Sequence, residues 1–302
     1  MTATPMKRDR SARHAAPVVA RHRSSERTPS FKPSFRALGA LAYEGAKVSV
    51  AAVDLQSGQS VFAVDERIVL PTGSVGKILL LIEVSARLTE RSLSDYVIVE
   101  RQLSDAVADS GLWQHMQAPS LPVADLAALV GATSDNLATN ALLRHIGLAA
   151  VRRRTESLGL VRTALLDVVR DSRGPDHAPQ LSVGSTAELA WLFYALTHGH
   201  VIDPATSQRV LGWLSLNADL SMVASAFGRD PLTHRGVDHN TWMVNKTGSD
   251  RGVRSEAGVL RGPRGGLAYA VSVHFDDRDL ATRLRVMDAL RTFGADLLEQ
   301  VH

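Results

Sequence analysis

The chain contains no cysteine. Disulfides, thiolate nucleophiles and thiolate metal sites are therefore excluded. It also lacks an apolar run of membrane-spanning length, an internal repeat, and the glycine fingerprint of dinucleotide-binding folds. Near the N-terminus, Ala15-Ala16-Pro17-Val18-Val19-Ala20 is short and stops at Arg21. A standard secretory signal is thus not visible. The plain expectation is a cytoplasmic protein that engages no membrane. A different start or an unusual export route would make it periplasmic or secreted.

Net charge is small, at +3, and unevenly placed. Up to Arg36, nine Lys and Arg residues stand against Asp9 and Glu26, so the remainder carries 25 bases against 29 acids. Residues up to about Ser34 mix Arg, Ser, Pro and Ala without period and read as a disordered leader. That leader has no aromatic interleaving, so nucleic-acid binding is not expected of it. With 302 residues, 45% of them hydrophobic, the chain can bury a large core.

Periodicity predicts helices over Phe35 to Glu44, Ser74 to about Thr89, Pro119 to Thr133, Asn140 to Ile146, Ala149 to Ser157, from Ser185, and over Pro204 to Leu216. Ser185 reads as an N-cap, with Glu188 placed to close a capping box. A hairpin is expected at Lys47 to Leu55 and Ser60 to Val64, turning at Gln56-Ser57-Gly58. Trp242-Met243-Val244 reads as extended, Glu256 to Leu260 as a short strand and Leu267 to Phe275 as a longer one. A closing helix is expected over Leu280 to Leu298. Strands at both ends with helices between imply an α/β part packed on an all-helical part. The expected bounds are 1–34 for the leader, 35–71 with 201–302 for the α/β domain, and 72–200 for the helical domain. A functional cleft would lie between the last two.

Three short motifs carry chemistry: Ser74-Val75-Gly76-Lys77, Ser134-Asp135-Asn136 and Lys246-Thr247-Gly248-Ser249. Each alone has a plain structural reading, as a helix cap with a solvated lysine, a helix cap, and a strand end. Together they form an acyl-transfer set without histidine. Ser74 would be the nucleophile at a helix start, where backbone N–H groups favour developing negative charge. Lys77, three residues on, shares its helical face. An ammonium in an apolar cleft loses proton affinity and can take the serine proton. Ser134 can relay a proton to a leaving nitrogen. Asn136 can fix Lys77 and a substrate amide together, while Asp135 would hold the local backbone. Lys246 and Thr247 suit a substrate carboxylate, Gly248 allows close approach, and the N–H groups of Ser249 and Ser74 would form an oxyanion hole.

In these motifs and their order the chain resembles the class A serine β-lactamases. The resemblance runs from about residue 35 to the end, and includes Trp213 and Asn217 ahead of the third motif. It implies a β-lactamase/transpeptidase-like fold: an antiparallel five-stranded sheet flanked by terminal helices, packed on a helical domain. It also implies an acyl-enzyme hydrolase of β-lactams, with no metal and no cofactor, acting as a monomer on a small carboxylate-bearing substrate. The departure lies in the loop that normally supplies the deacylating glutamate within Glu-x-x-Leu-Asn. That segment is absent. Asp171 falls at the glutamate's position and Pro175 where the asparagine would stand. Asp171 is thus the candidate water-activating base, one methylene short.

Other residues are secondary candidates: Trp113 as an aromatic at the cleft rim, His177 in the loop, and Arg251 or Arg254 as reinforcement for anion binding. His234, Asp238 and His239 read as a polar insertion rather than a metal site. Competing readings keep the fold but change the task. They are an esterase or amidase of small-molecule metabolism, a slow-deacylating penicillin-binding protein, and an idle binder.

Overall fold

The computed structural model describes residues 30–302. Most of the expected leader lies outside these residues. Its last part is ordered structure, because α1 (Lys32–Tyr43) begins with Pro33 in its first turn, where a missing N–H costs nothing. Ser34 is buried and donates from both N and Oγ to Asp296 Oδ2, at 2.9 and 2.5 Å. That tie to the far end of the chain is invisible in the local composition.

The five long strands are β1 (Lys47–Asp54), β2 (Ser60–Val64), β3 (Trp242–Asp250), β4 (Val253–Gly262) and β5 (Gly265–His274). They form one antiparallel sheet in the order β2-β1-β5-β4-β3. The β1–β2 turn is closed by the Asp54 carboxylate, which accepts from Ser57 N and Oγ and from Gln56 N. β4 is longer than its apolar segment predicts. It pairs along β5 for its whole length, so polar Arg254 and Ser255 are drawn into the ladder.

Side chains alternate across the sheet. On one face Val48, Val50 and Ala52 of β1 join Leu38 and Leu41 of α1 and Leu290 and Phe293 of α8 (Leu280–Val301). On the other face Ala51, Val244, Ala257 and Ala270 meet a helical layer. That layer holds α2 (Lys77–Thr89), α3 (Val123–Thr133), α4 (Asn136–Ile146), α5 (Leu148–Ser157), α6 (Thr186–Thr197) and α7 (Pro204–Leu214). α2 is buried nearly all round, as its uniform apolarity requires. This is the expected architecture.

Local differences have local causes. α2 starts at Lys77 because Gly73–Gly76 forms a tighter 3-10 turn. α4 starts four residues early, at Asn136, because the Asp135 carboxylate caps it through Ala138 N at 2.9 Å. Ser185 caps α6 through Glu188 N at 3.3 Å. The capping box is not closed, however, because the Glu188 carboxylate instead accepts from Val161 N and Arg162 N. α6 packs on β1, β4 and β5, while α7 packs on α2 and α3. If the chain is divided in two, as we propose, the packing of α7 favours a boundary after Leu214 rather than at 201. Among the described residues no helix is long and apolar enough to cross a membrane.

Candidate active site

The Ser74 corner is built by close approach. Thr72 N donates to Ser182 O at 3.2 Å, Ser182 Oγ donates to Gly73 O at 2.6 Å, and the Thr72 and Ser182 hydroxyls lie 2.7 Å apart. Ser182 sits on a short strand, Ser182–Gly184, that pairs with Leu70–Pro71. On the other side stands β3. A Cβ added to Gly248 would lie 2.8 Å from Ser74 N and 2.9 Å from Val75 N, and closer still to Thr72 O. A Cβ on Gly73, whose φ is +52°, would come within 3.3 Å of Ser249 N. Both positions therefore need glycine. β3 therefore lies tight against the Ser74 corner, with Gly248 beside the Ser74 amide and Gly73 beside the Ser249 amide, the two groups expected of an oxyanion hole.

Lys77 is fully buried beneath this corner. Its Nζ donates to Ser134 O at 2.6 Å and Asn136 Oδ1 at 2.7 Å, and lies 3.3 Å from Ser134 Oγ. Ser134 adopts a left-handed conformation, φ 55° and ψ 34°, at the end of α3. A non-glycine residue held there stores on the order of 1 kcal/mol, and the turn aims both its carbonyl and its hydroxyl at Lys77. Asp135 fixes the turn from behind. Fully buried, it accepts from Leu112 N at 2.7 Å, Trp113 N at 2.8 Å and Ala138 N at 2.9 Å. The helix cap was legible in the sequence; the two bonds to the 112–113 segment were not.

Burial holds the Lys77 ammonium well below its usual proton affinity, and the nearby Lys246 charge pushes it the same way; Asp135 opposes both. Lys246 is also fully buried, and donates to Thr247 O at 2.9 Å. Burial lowers it to about 8, against the pull of Asp219 and Glu256. Behind β3 lies a polar network outside the sequence expectations. Glu256 accepts from Tyr269 Oη at 2.7 Å, Asn245 Nδ2 at 2.9 Å and Val223 N at 2.8 Å. Asn217 Nδ2 donates to Asn245 Oδ1 at 2.8 Å. Burial raises Glu256 to about 7.

Ser74 opens onto two adjoining cavities. One, of about 540 Å3, is also lined by Ser110, Asn136, Asp171, Ser249 and Arg254. The other, of about 400 Å3, is lined by Ser134, Asn217, Asp219, Thr247 and Ser249. So Ser74, Ser134, Asn136, Thr247 and Ser249 line these cavities, Lys77 is bonded to Ser134 and Asn136, Gly248 packs against the Ser74 amide, and Lys246 lies buried beside Thr247 without lining either cavity. Asp171 reaches the rim of the first cavity. Its Oδ1 accepts from Ala108 N at 2.8 Å. Its neighbours Arg170 and Arg173, which line the same cavity, pair with Asp167, each at 2.8 Å. Asp167 was missed, although arginines three and six residues on were a signal for it.

The secondary candidates divide. Arg251 and Arg254 line the first cavity. Trp113 is no rim residue: it is fully buried, with Nε1 donating to Ala118 O at 2.9 Å, because Asp135 pins its backbone inward. His177 is exposed and accepts from Gly174 N at 3.0 Å. His234 is buried and His239 exposed, and no group of three or more His, Cys, Asp or Glu among the described residues is arranged to hold a metal ion.

A sheet with terminal helices on one face, a helical layer on the other and a Ser/Lys/Ser/Lys cleft between them defines the β-lactamase/transpeptidase-like proteins. The model of the beta-lactamase enzyme family matches residues 31–301, and the chain belongs to that family of serine β-lactamase-like hydrolases. Solved structures agree on the fold. A β-lactamase from Sphaerobacter thermophilus is 21% identical with a TM-score of 0.78, over 89% of this chain and 97% of that one. PBP-A is 18% identical with a TM-score of 0.74, over 89% and 95%. A mutant of PBP-A described as an acyl-enzyme complex with penicillin G is 19% identical with a TM-score of 0.73, over 91% and 98%. No curated protein matches the sequence.

Proposed function

We propose that the protein hydrolyses β-lactams through an acyl-enzyme on Ser74. The observation that carries this reading is the bonding of Lys77. A neutral amine has two N–H donors and one lone pair. Both donors are accounted for by the short bonds to Ser134 O and Asn136 Oδ1, so the lone pair is left for a hydroxyl proton, with Ser134 Oγ 3.3 Å away and Ser74 one turn earlier in the chain. With its proton affinity lowered, Lys77 accepts the Ser74 proton as the oxygen attacks the lactam carbonyl. The carbonyl oxygen, now negative, sits between the Ser74 and Ser249 amides. The lactam C–N bond breaks, and the nitrogen takes a proton through Ser134 from Lys77. Water then adds to the ester carbonyl and frees Ser74. Lys246 and Thr247 hold the substrate carboxylate.

The test is to mix the purified protein with a chromogenic cephalosporin and follow turnover together with intact mass. Sustained turnover is expected, with a transient adduct that peptide mapping places on Ser74 and that Ser74→Ala abolishes. An adduct on Ser134 or Ser249 would overturn the assignment. A permanent adduct without turnover would make the protein a penicillin-binding form. Turnover of small esters with no reaction towards the lactam would make it an esterase.

A further inference from the structure

We propose that Asp171 is a positioning residue that clamps the Ala108 peptide and, through it, Asn136 and Lys77. This deepens the acyl-serine reading and rests on it. The Ala108 peptide is gripped from two sides. Its N–H donates to Asp171 Oδ1 at 2.8 Å, and its carbonyl accepts from Asn136 Nδ2 at 3.0 Å. Asn136 N donates in turn to Ser110 O at 2.9 Å, and Asn136 Oδ1 takes the Lys77 bond at 2.7 Å.

An amide side chain can rotate and exchange its oxygen and nitrogen. What orients this one is the Ala108 carbonyl, which accepts only from the nitrogen end and so leaves the oxygen facing Lys77. The segment carrying that carbonyl belongs to no helix or strand. It is an exposed loop with two left-handed residues close by, Asp109 at φ 67° and Gly111 at φ 128°. Asp135 holds the loop's later end at Leu112 and Trp113. Asp171 holds its earlier end. An aspartate suffices for this task, because the donor it must reach is a backbone N–H at the rim rather than a water above Ser74. The short side chain, a defect for a base, is the right length for the clamp.

The two tasks separate in substitutions, because asparagine keeps an acceptor oxygen but cannot take a proton. Acylation and release are measured by stopped flow and quenched-flow mass on the wild type, Asp171→Asn and Asp171→Ala, each checked for an unchanged melting temperature. The clamp predicts that Asp171→Asn acylates and releases like the wild type. Asp171→Ala should lose on the order of 100-fold in acylation, the scale of a catalytic group misplaced by about 1 Å. Its acid limb should also move to lower pH, because the Lys77 ammonium loses the Asn136 oxygen that stabilises its charged form while still facing Lys246 and Asp135. If both variants acylate normally and both stall at release, Asp171 is the deacylation base and the clamp is wrong. Wild-type kinetics in both variants would also overturn it. Amide hydrogen exchange covers the case in which no lactam acylates Ser74 and the reaction reading fails. The Ala108 amide should exchange faster in Asp171→Ala and not in Asp171→Asn. Equal protection in all three proteins would refute the clamp by itself.

Discussion

Gly248→Ala is the most exacting test of how the site is assembled. The added methyl would lie 2.8 Å from Ser74 N and 2.9 Å from Val75 N, and nearer to Thr72 O. Ordinary contact begins at 3.4 Å, so β3 and the Ser74 corner must separate by about 0.6 Å at the least, and by more at the carbonyl. Neither side yields easily. The corner is tied to Ser182 by three hydrogen bonds, and β3 is paired along its length to β4. Overpacking of this kind costs about 1–3 kcal/mol of stability. The chemical cost should be larger, because the Ser249 amide moves away from the Ser74 amide and the oxyanion hole opens. A displacement near 1 Å costs on the order of 100-fold in rate. The assay is the rate of Ser74 acylation by a lactam, followed by intact mass, alongside thermal melting. The expected result is a melting temperature lowered by a few degrees and acylation slowed about 100-fold. Wild-type acylation in a stably folded Gly248→Ala protein would refute the close approach, and with it the pairing of the two amides.

Two further predictions concern pH. Lys246 sits at about 8, below the ordinary lysine value, so its ammonium is present below that pH and lost above it. For a carboxylate-bearing substrate kcat/KM should fall above about pH 8, while a neutral ester analogue escapes the fall; Lys246→Ala should remove the difference, and parallel profiles in the wild type would deny Lys246 its role in anion binding. Glu256 is raised to about 7 from an ordinary 4.5, so between those values the folded protein holds more protons than the unfolded chain and stability falls as pH rises. The loss is roughly 3 kcal/mol across the window. Melting temperature should therefore drop between pH 5 and pH 7.5 by more in the wild type than in Glu256→Gln; equal slopes would show that Glu256 is ionised throughout.

The sequence by itself marked the candidate nucleophile, base, relay and anion-binding strand, along with the fold that carries them. These residues are legible because their chemistry needs particular types at short spacings. Three residues carry the chain from Ser74 in its 3-10 turn to Lys77 at the start of α2, and adjacent positions on one strand hold Lys246 and Thr247. Apolar periodicity is equally local, so α2 and the β1–β2 hairpin could be read within a turn or two. The tertiary structure decided everything that depends on residues far apart in the chain. It put Ser182 under the Ser74 corner, 108 residues away, and Glu256 behind β3. It also turned Arg170 and Arg173 to Asp167 and buried Trp113 in place of the expected rim position. A buried polar group takes whatever partner the fold brings to it, and no spacing rule names that partner beforehand. Asp171 shows the limit most clearly. Alignment of the loop could mark its position, but only the folded chain presents it with the Ala108 amide.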